Sequence, residues 1–97
     1  MYKLMTVGRA KAGKVREAIG ALKGLAEYIK SKHNLKADVH VQLFGPAGTV
    51  YLIGEVPDLA TFQAIQAKIM ADDAYWALVN KAAEVIDPPT MALLQQV

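Results

Sequence analysis

Ninety-seven residues with no cysteine, four prolines, seven glycines and sixteen alanines make one small domain, and a chain this short buries only about 60–65% of the surface its unfolded form exposes. Since 54% of its residues are hydrophobic, the composition points to an apolar face that a second chain covers, while the missing cysteines exclude disulfides, thiolate metal sites and a cysteine nucleophile. The net charge of +2 hides nine Lys and Arg against two acids through Lys36, then two lysines against seven acids; the basic residues alternate with carboxylates and alanines instead of clustering with aromatics, so no nucleic-acid partner is expected.

No apolar run approaches the roughly 18–20 residues of a membrane helix, and Met1-Tyr2-Lys3 run straight into strand-like sequence. A cytoplasmic protein with neither secretory signal nor membrane partner is therefore expected. Tyr2 to Arg9, with Leu4, Met5, Thr6 and Val7 and no helical spacing, reads as a strand. Ala10 to Gly13 form a loop. The spacing of Val15, Ile19, Leu22, Leu25, Ala26 and Ile29 then predicts an amphipathic helix. Lys30, Lys32 and His33 occupy its last turn, where cations suit the helix dipole, and Asn34 is the candidate C-terminal cap.

Asp38 to Phe44 and Thr49 to Val56 are expected to form a hairpin across Gly45-Pro46-Ala47-Gly48. With Gly45 facing Gly48, the register pairs Leu43 with Val50, Val41 with Leu52 and Val39 with Gly54 on an apolar face. The other face pairs Phe44 with Thr49, Gln42 with Tyr51, His40 with Ile53 and Asp38 with Glu55. Asp58 is the expected N-cap of a second helix carrying Phe62, Ile65 and Ile69. Asp72-Asp73 interrupt it and cap a further stretch from Ala74 to Ile86, bearing Trp76, Val79, Ala83 and Ile86. Pro88-Pro89 end helical structure, and Thr90 to Val97 make the last strand.

The order βαββαβ in one short α+β domain implies a ferredoxin-like plait, a four-stranded antiparallel sheet with its helices on one face. The helix-free face, with Gln42, Phe44, Tyr51, Ile53 and part of Met91 to Leu94, is too apolar for water. A second copy laid sheet against sheet would cover it.

With these elements the whole chain resembles the dimeric α/β-barrel superfamily, which includes the antibiotic-biosynthesis monooxygenases. The resemblance rests on the opening strand followed by Ala12-Gly13-Lys14, on Pro57-Asp58-Leu59 leading to Phe62, on Ala71-Asp72-Asp73-Ala74-Tyr75-Trp76, and on the closing Pro88-Pro89-Thr90-Met91-Ala92-Leu93-Leu94. It implies a homodimer whose two sheets close into a barrel, with a ligand cleft between sheet and helices in each subunit. Superfamily members include cofactor-independent oxygenases of aromatic polyketides, haem degraders, dehalogenating and lactone-isomerising enzymes, and stress proteins, so fold alone does not deliver function. Haem degraders use an Asn on the first strand with a Trp and a His on the second helical region. Tyr2–Arg9 contains no Asn, the matching later positions fall near Ile69 and Leu78–Val79, and Trp76 is out of place.

Gly8-Arg9-Ala10-Lys11-Ala12-Gly13-Lys14 matches the spacing of a phosphate-binding loop. Val15, however, replaces the hydroxyl residue that would hold magnesium, and the chain has no room for the parallel sheet that carries such a loop. An ordinary strand-to-helix turn is the simpler reading. His40 is the candidate catalytic base, sharing a face with Asp38, Gln42 and Tyr51, with Glu55 diagonal to it. Arg9 is the candidate partner for the facing carboxylates, on the expectation that the first and third strands run parallel and their C-terminal ends meet. Tyr51, Trp76 and Asn80 complete the candidate pocket, with Tyr75 adjacent on the same helix and with Trp76 and Asn80 lying four apart on one helix face. Each of these residues has an ordinary structural role open to it as well: a satisfied polar cluster for His40, core packing for Trp76. Two functions stay open: a dimeric protein that binds an aromatic or polyketide-like molecule and oxygenates or isomerises it without metal or other cofactor, and a non-catalytic binding or stress-related dimer.

Overall fold

The computed structural model describes residues 1–97. Strand β1 (Tyr2–Arg9) leads through a short loop into helix α1 (Val15–His33). Strands β2 (Ala37–Val41) and β3 (Thr49–Val56) follow, then helices α2 (Leu59–Met70) and α3 (Asp73–Ala82), and finally strand β4 (Thr90–Gln95). Local chemistry explains the boundaries. Asn34 ends α1 in the left-handed conformation (φ 55°), its N–H donating to the Lys30 carbonyl at 3.1 Å. Asp58 caps α2 by accepting from the Thr61 N–H at 2.7 Å, and that bond holds its carboxyl below the ordinary range. The second helical region divides at Ala71–Asp72, where Asp72 begins α3.

The sheet order is β2-β3-β1-β4, and every neighbouring pair is antiparallel. This is the ferredoxin-like plait expected from the element order. The expected parallel pairing of the first and third strands is corrected: Tyr2 stands opposite Val56, and Arg9 opposite Thr49. The crossover through α1 makes β1 and β2 parallel, so β3, hairpin-linked to β2 and lying between the two, must oppose both.

The hairpin register is corrected as well. Ala37 pairs with Gly54, Asp38 with Ile53, Val39 with Leu52, His40 with Tyr51 and Val41 with Val50, two residues away from the expected pairing. The last hairpin contact runs from the Gln42 N–H to the Thr49 carbonyl at 3.0 Å, so the loop spans 43–48. Gly45 and Gly48 both take positive φ, 108° and 83°, and Leu43 and Phe44 stand out from it, 84% and 91% exposed. A slip of two leaves every side chain on its original face, because strand side chains alternate with period two.

On the helix side, Val50, Leu52 and Val56 meet the buried stripe of α1, namely Ala18, Leu22, Leu25, Ala26 and Ile29. Two clusters result. One joins Leu52 and Val56 to Leu25, Ile29, Leu35 and Ile69; the other joins Val50 to Ala10, Ala18, Leu22, Ala82 and Ile86. The helices pack over β2 and β3 and leave the helix side of β1 and β4 less covered. The apolar surplus therefore has two addresses. Met5, Val7, Tyr51, Ile53, Ala92 and Leu94 share the helix-free face, whereas Met91 and Leu93 alternate onto the helix side beside α3.

Candidate functional site

Because the helices stop short of β1 and β4, a cleft of about 600 Å³ opens between α3 and the sheet. Its floor is Thr6 and Gly8 of β1 with Met91 of β4. Its roof is Tyr75, Trp76 and Val79 of α3, with Ala83 at the C-cap of that helix. A smaller chamber of about 60 Å³ adjoins it beneath α2, and the two share Thr6, Leu52, Met70, Tyr75 and Met91. Cavities of this size that are mostly apolar with few polar groups are the usual form of small-molecule sites.

One end of the cleft is closed by main-chain pairing. Ala10 and Ile86 form an isolated antiparallel bridge, flanked by Lys11 N–H to Val85 O at 2.9 Å and Asp87 N–H to Arg9 O at 2.8 Å. This strap places Lys11 and Asp87 on the cleft wall, and neither joins an ion pair. The strap also accounts for Gly8. A Cβ there would lie 2.7 Å from Ile86 Cγ2, so that glycine serves the packing of the strap against β1. Gly13, at φ 74°, serves the turn into α1. Both glycines of the phosphate-loop spacing thus have structural duties.

The roof is fixed from outside the cleft. Asp72 Oδ1 accepts from the N–H of Ala74 at 3.0 Å and of Tyr75 at 3.3 Å. Its Oδ2 receives the Tyr28 hydroxyl at 2.6 Å and lies 2.8 Å from His33 Nε2. The Tyr28 hydrogen bond chiefly, then His33 and the two backbone N–H groups, hold the Asp72 carboxyl down to about 2. An ionised carboxylate only accepts, so Nε2 carries the proton in that contact. The same bond raises the Tyr28 phenol above its usual range. Trp76 Nε1 donates to the Met70 carbonyl at 2.9 Å, tying α3 to the end of α2, and its ring meets Tyr75 edge to face at 5.5 Å.

The sheet divides the residues that the sequence groups into one pocket. Trp76 lines the cleft. His40 and Tyr51 face each other across β2 and β3 on the helix-free side, where the Tyr51 hydroxyl donates to Gln42 Oε1. Asn80 is exposed on α3 and lines neither cavity. Arg9 stands at the opposite end of β1 from Lys3, and it is Lys3 that approaches Glu55, at 3.7 Å. Asp38 faces Ile53, so the expected pairing of Asp38 with Glu55 does not arise. The structure gathers no three His, Cys, Asp or Glu side chains into a potential metal site, and no helix is long and apolar enough to cross a membrane. Tyr75, adjacent to Trp76 in the sequence, lines the cleft with it, whereas Thr6, Lys11 and Asp87 line it without having stood out as pocket residues. Only the strand alternation around Thr6 could have flagged one of these three.

No family model and no curated protein matches the chain. Solved structures do. An uncharacterised NIPSNAP domain protein from Burkholderia xenovorans superposes with a TM-score of 0.84 at 18% identity, over 100% of this chain and 95% of its own. An antibiotic biosynthesis monooxygenase gives 0.72 at 21% identity, over 100% and 99%. A dimeric protein of unknown function and ferredoxin-like fold from Bacteroides fragilis gives 0.71 at 12%, over 98% and 95%. At these identities the likeness is one of fold. The chain thus has the ferredoxin-like fold shared by NIPSNAP and antibiotic biosynthesis monooxygenase-like proteins, the fold that the sequence resemblance implies.

Proposed function

We propose that this protein binds a small aromatic molecule in the cleft between α3 and the sheet, and that it does so as a homodimer joined through the helix-free sheet face. The observation that carries this reading is the cleft itself: about 600 Å³, mostly apolar, walled by Tyr75 and Trp76, with Lys11 and Asp87 at one end. The dimer is supported by the row of half-buried Met5, Val7, Tyr51 and Ile53 on a face that no helix covers. In such a dimer the two sheets close into a barrel, and His40, Tyr51 and Arg9 lie at the sheet-to-sheet boundary. Trp76 stays with the cleft, with Asn80 further along the same helix.

Trp76 is the only tryptophan of the chain, so its emission reports on the cleft directly. Titration with naphthalene, a neutral aromatic that the cleft can enclose, is expected to change that emission saturably. Ala83→Phe, which fills the roof, is expected to abolish the change while leaving the circular dichroism spectrum intact. A response that never saturates, or one indifferent to Ala83→Phe, would rule the reading out.

Oxygenation or isomerisation of the bound molecule without a cofactor needs a base beside it, and Asp87 and Lys11 are the titratable groups at that end of the cleft. Binding without turnover is the second reading. It is favoured by one observation, that no histidine lines the cleft. Consumption of a bound ligand, lost on Asp87→Ala with binding retained, would decide for catalysis.

A further inference from the structure

We propose that the sheet end bearing the β2–β3 loop docks onto an anionic lipid surface, with Leu43 and Phe44 entering the interface and the cations around the start of α1 holding the headgroups. This surface is independent of the reading of the cleft as a binding site. Apart from the terminal Val97, Leu43 and Phe44 are the most exposed large apolar residues of the chain, and neither packs against a core cluster. The loop is shaped by its own bonds. Gly45 and Gly48 take positive φ, Thr49 Oγ1 donates to the Pro46 carbonyl at 3.0 Å, and the Tyr51 hydroxyl anchors Gln42 at the base.

The segment beside this loop is basic. The Ala10 N–H donates to the Gly48 carbonyl at 2.9 Å and Arg9 stands opposite Thr49, so the turn from β1 into α1 lies at the same end of the sheet. Residues 9–16 include Arg9, Lys11, Lys14 and Arg16 and no acid. All four cations are exposed, and none joins an ion pair. Loop 43–48 adds no charge; the strap adds one acid, Asp87, and Glu17 follows on α1. An apolar anchor or a basic patch alone holds a membrane weakly, whereas the two together hold it stably. The expectation of no membrane partner rested on the absence of a spanning helix, and a peripheral contact needs none. A second copy fits this end less well. A two-fold contact would set the four cations against their own copies, and two side chains fall far below the roughly 800 Å² per partner of a stable interface.

Co-sedimentation of the full chain with lipid vesicles tests the proposal. Binding to equimolar phosphatidylcholine and phosphatidylserine is expected to exceed binding to phosphatidylcholine alone by about tenfold or more, and to weaken with added salt. Lys14→Gln/Arg16→Gln is expected to weaken it about 25-fold, which is about fivefold for each cation. Leu43→Ser/Phe44→Ser, which leaves both core clusters untouched, is expected to weaken it about tenfold with the circular dichroism spectrum intact. Wild-type protein that binds neither vesicle, or both alike, overturns the proposal. So does a loop variant that binds as the wild type does, since the cations alone would then hold any polyanion. A loop variant that sediments as a monomer where the wild type is a dimer also overturns it, and gives Leu43 and Phe44 to a second copy.

Discussion

His33 Nε2 lies 2.8 Å from Asp72 Oδ2 and thereby ties the last turn of α1 to the N-cap of α3, thirty-nine residues further on. The contact matters for the cleft because the other oxygen of the same carboxylate holds the Tyr75 and Ala74 N–H groups. Its pH dependence has a defined sign. The Asp72 carboxyl lies at about 2 in the fold, against 3.8 for a free side chain, chiefly through the Tyr28 hydroxyl. A lowered carboxyl stabilises the fold above its unfolded value and loses that contribution as pH falls through the folded one. The Asp72→Asn variant keeps a capping oxygen and lacks the charge. Urea midpoints for wild type and variant are thus expected to differ above about pH 4 and to converge toward about pH 2. Asp58 titrates in both proteins and cancels in the difference. Midpoint curves that stay parallel down to pH 2 would contradict the assignment.

Gly8 and Ile86 make a second checkable pair. A methyl group at position 8 meets Ile86 Cγ2 at 2.7 Å, and Ile86 is buried in the cluster beneath α3. Gly8→Ala is expected to cost about 1–3 kcal/mol of stability through overpacking. Ile86→Leu removes the offending branch, so the double variant should recover part of that loss in chemical denaturation. Equal stability of Gly8→Ala and wild type would show that the strap yields freely.

The elements were legible because each carries its own local signal: the apolar stripe of α1, Asn34 at its end, Asp58 and Asp72 as caps, and Pro88-Pro89 before β4. The β2–β3 pairing was not, since Gly45-Pro46-Ala47-Gly48 fits a four-residue connection and nothing local shows that Leu43 and Phe44 leave the strand. The face assignment survived because a slip of two preserves it. Placing β1 parallel to β3 was an error of topology, and it carried Arg9 to the wrong end of the sheet. The resemblance implied a cleft between sheet and helices, but its lining was the least legible feature. Its residues come from β1, β3 and β4, from all three helices and from the strap, and sequence spacing reports neighbours along one element only. The Tyr28–Asp72–His33 contact was hidden for the same reason, since its partners are 39 and 44 residues apart.

Val50 and Met91 test how unevenly the two halves of the sheet are covered. Val50 is fully enclosed between β3 and α1, whereas Met91 on the helix side of β4 is 58% exposed. Val50→Ala is expected to cost about 2 kcal/mol, from lost burial plus the cavity left behind. Met91→Ala should cost well under half of that, read from urea denaturation of the unliganded protein. Equal losses would mean that α3 closes over β4 in solution and that the cleft is narrower than described.

Ile53 tests the proposed sheet-to-sheet dimer without touching the core. It sits opposite Met5 and Asp38 on the helix-free face, half-buried within one chain and outside both core clusters. A carboxylate there would be driven into a largely apolar interface, and its cross-strand neighbours, Met5 and the Asp38 carboxylate, offer it no pairing charge. Wild-type protein at micromolar concentration is expected to sediment at twice the 10.5 kDa chain mass, and Ile53→Asp at the chain mass with its far-ultraviolet circular dichroism retained. Ala83→Phe, on the cleft side of the molecule, should leave the dimer intact. That contrast separates the two apolar surfaces. A dimer that survives Ile53→Asp but dissociates on Ala83→Phe would mean that the second chain covers the cleft, and the site for a small molecule would then be an interface.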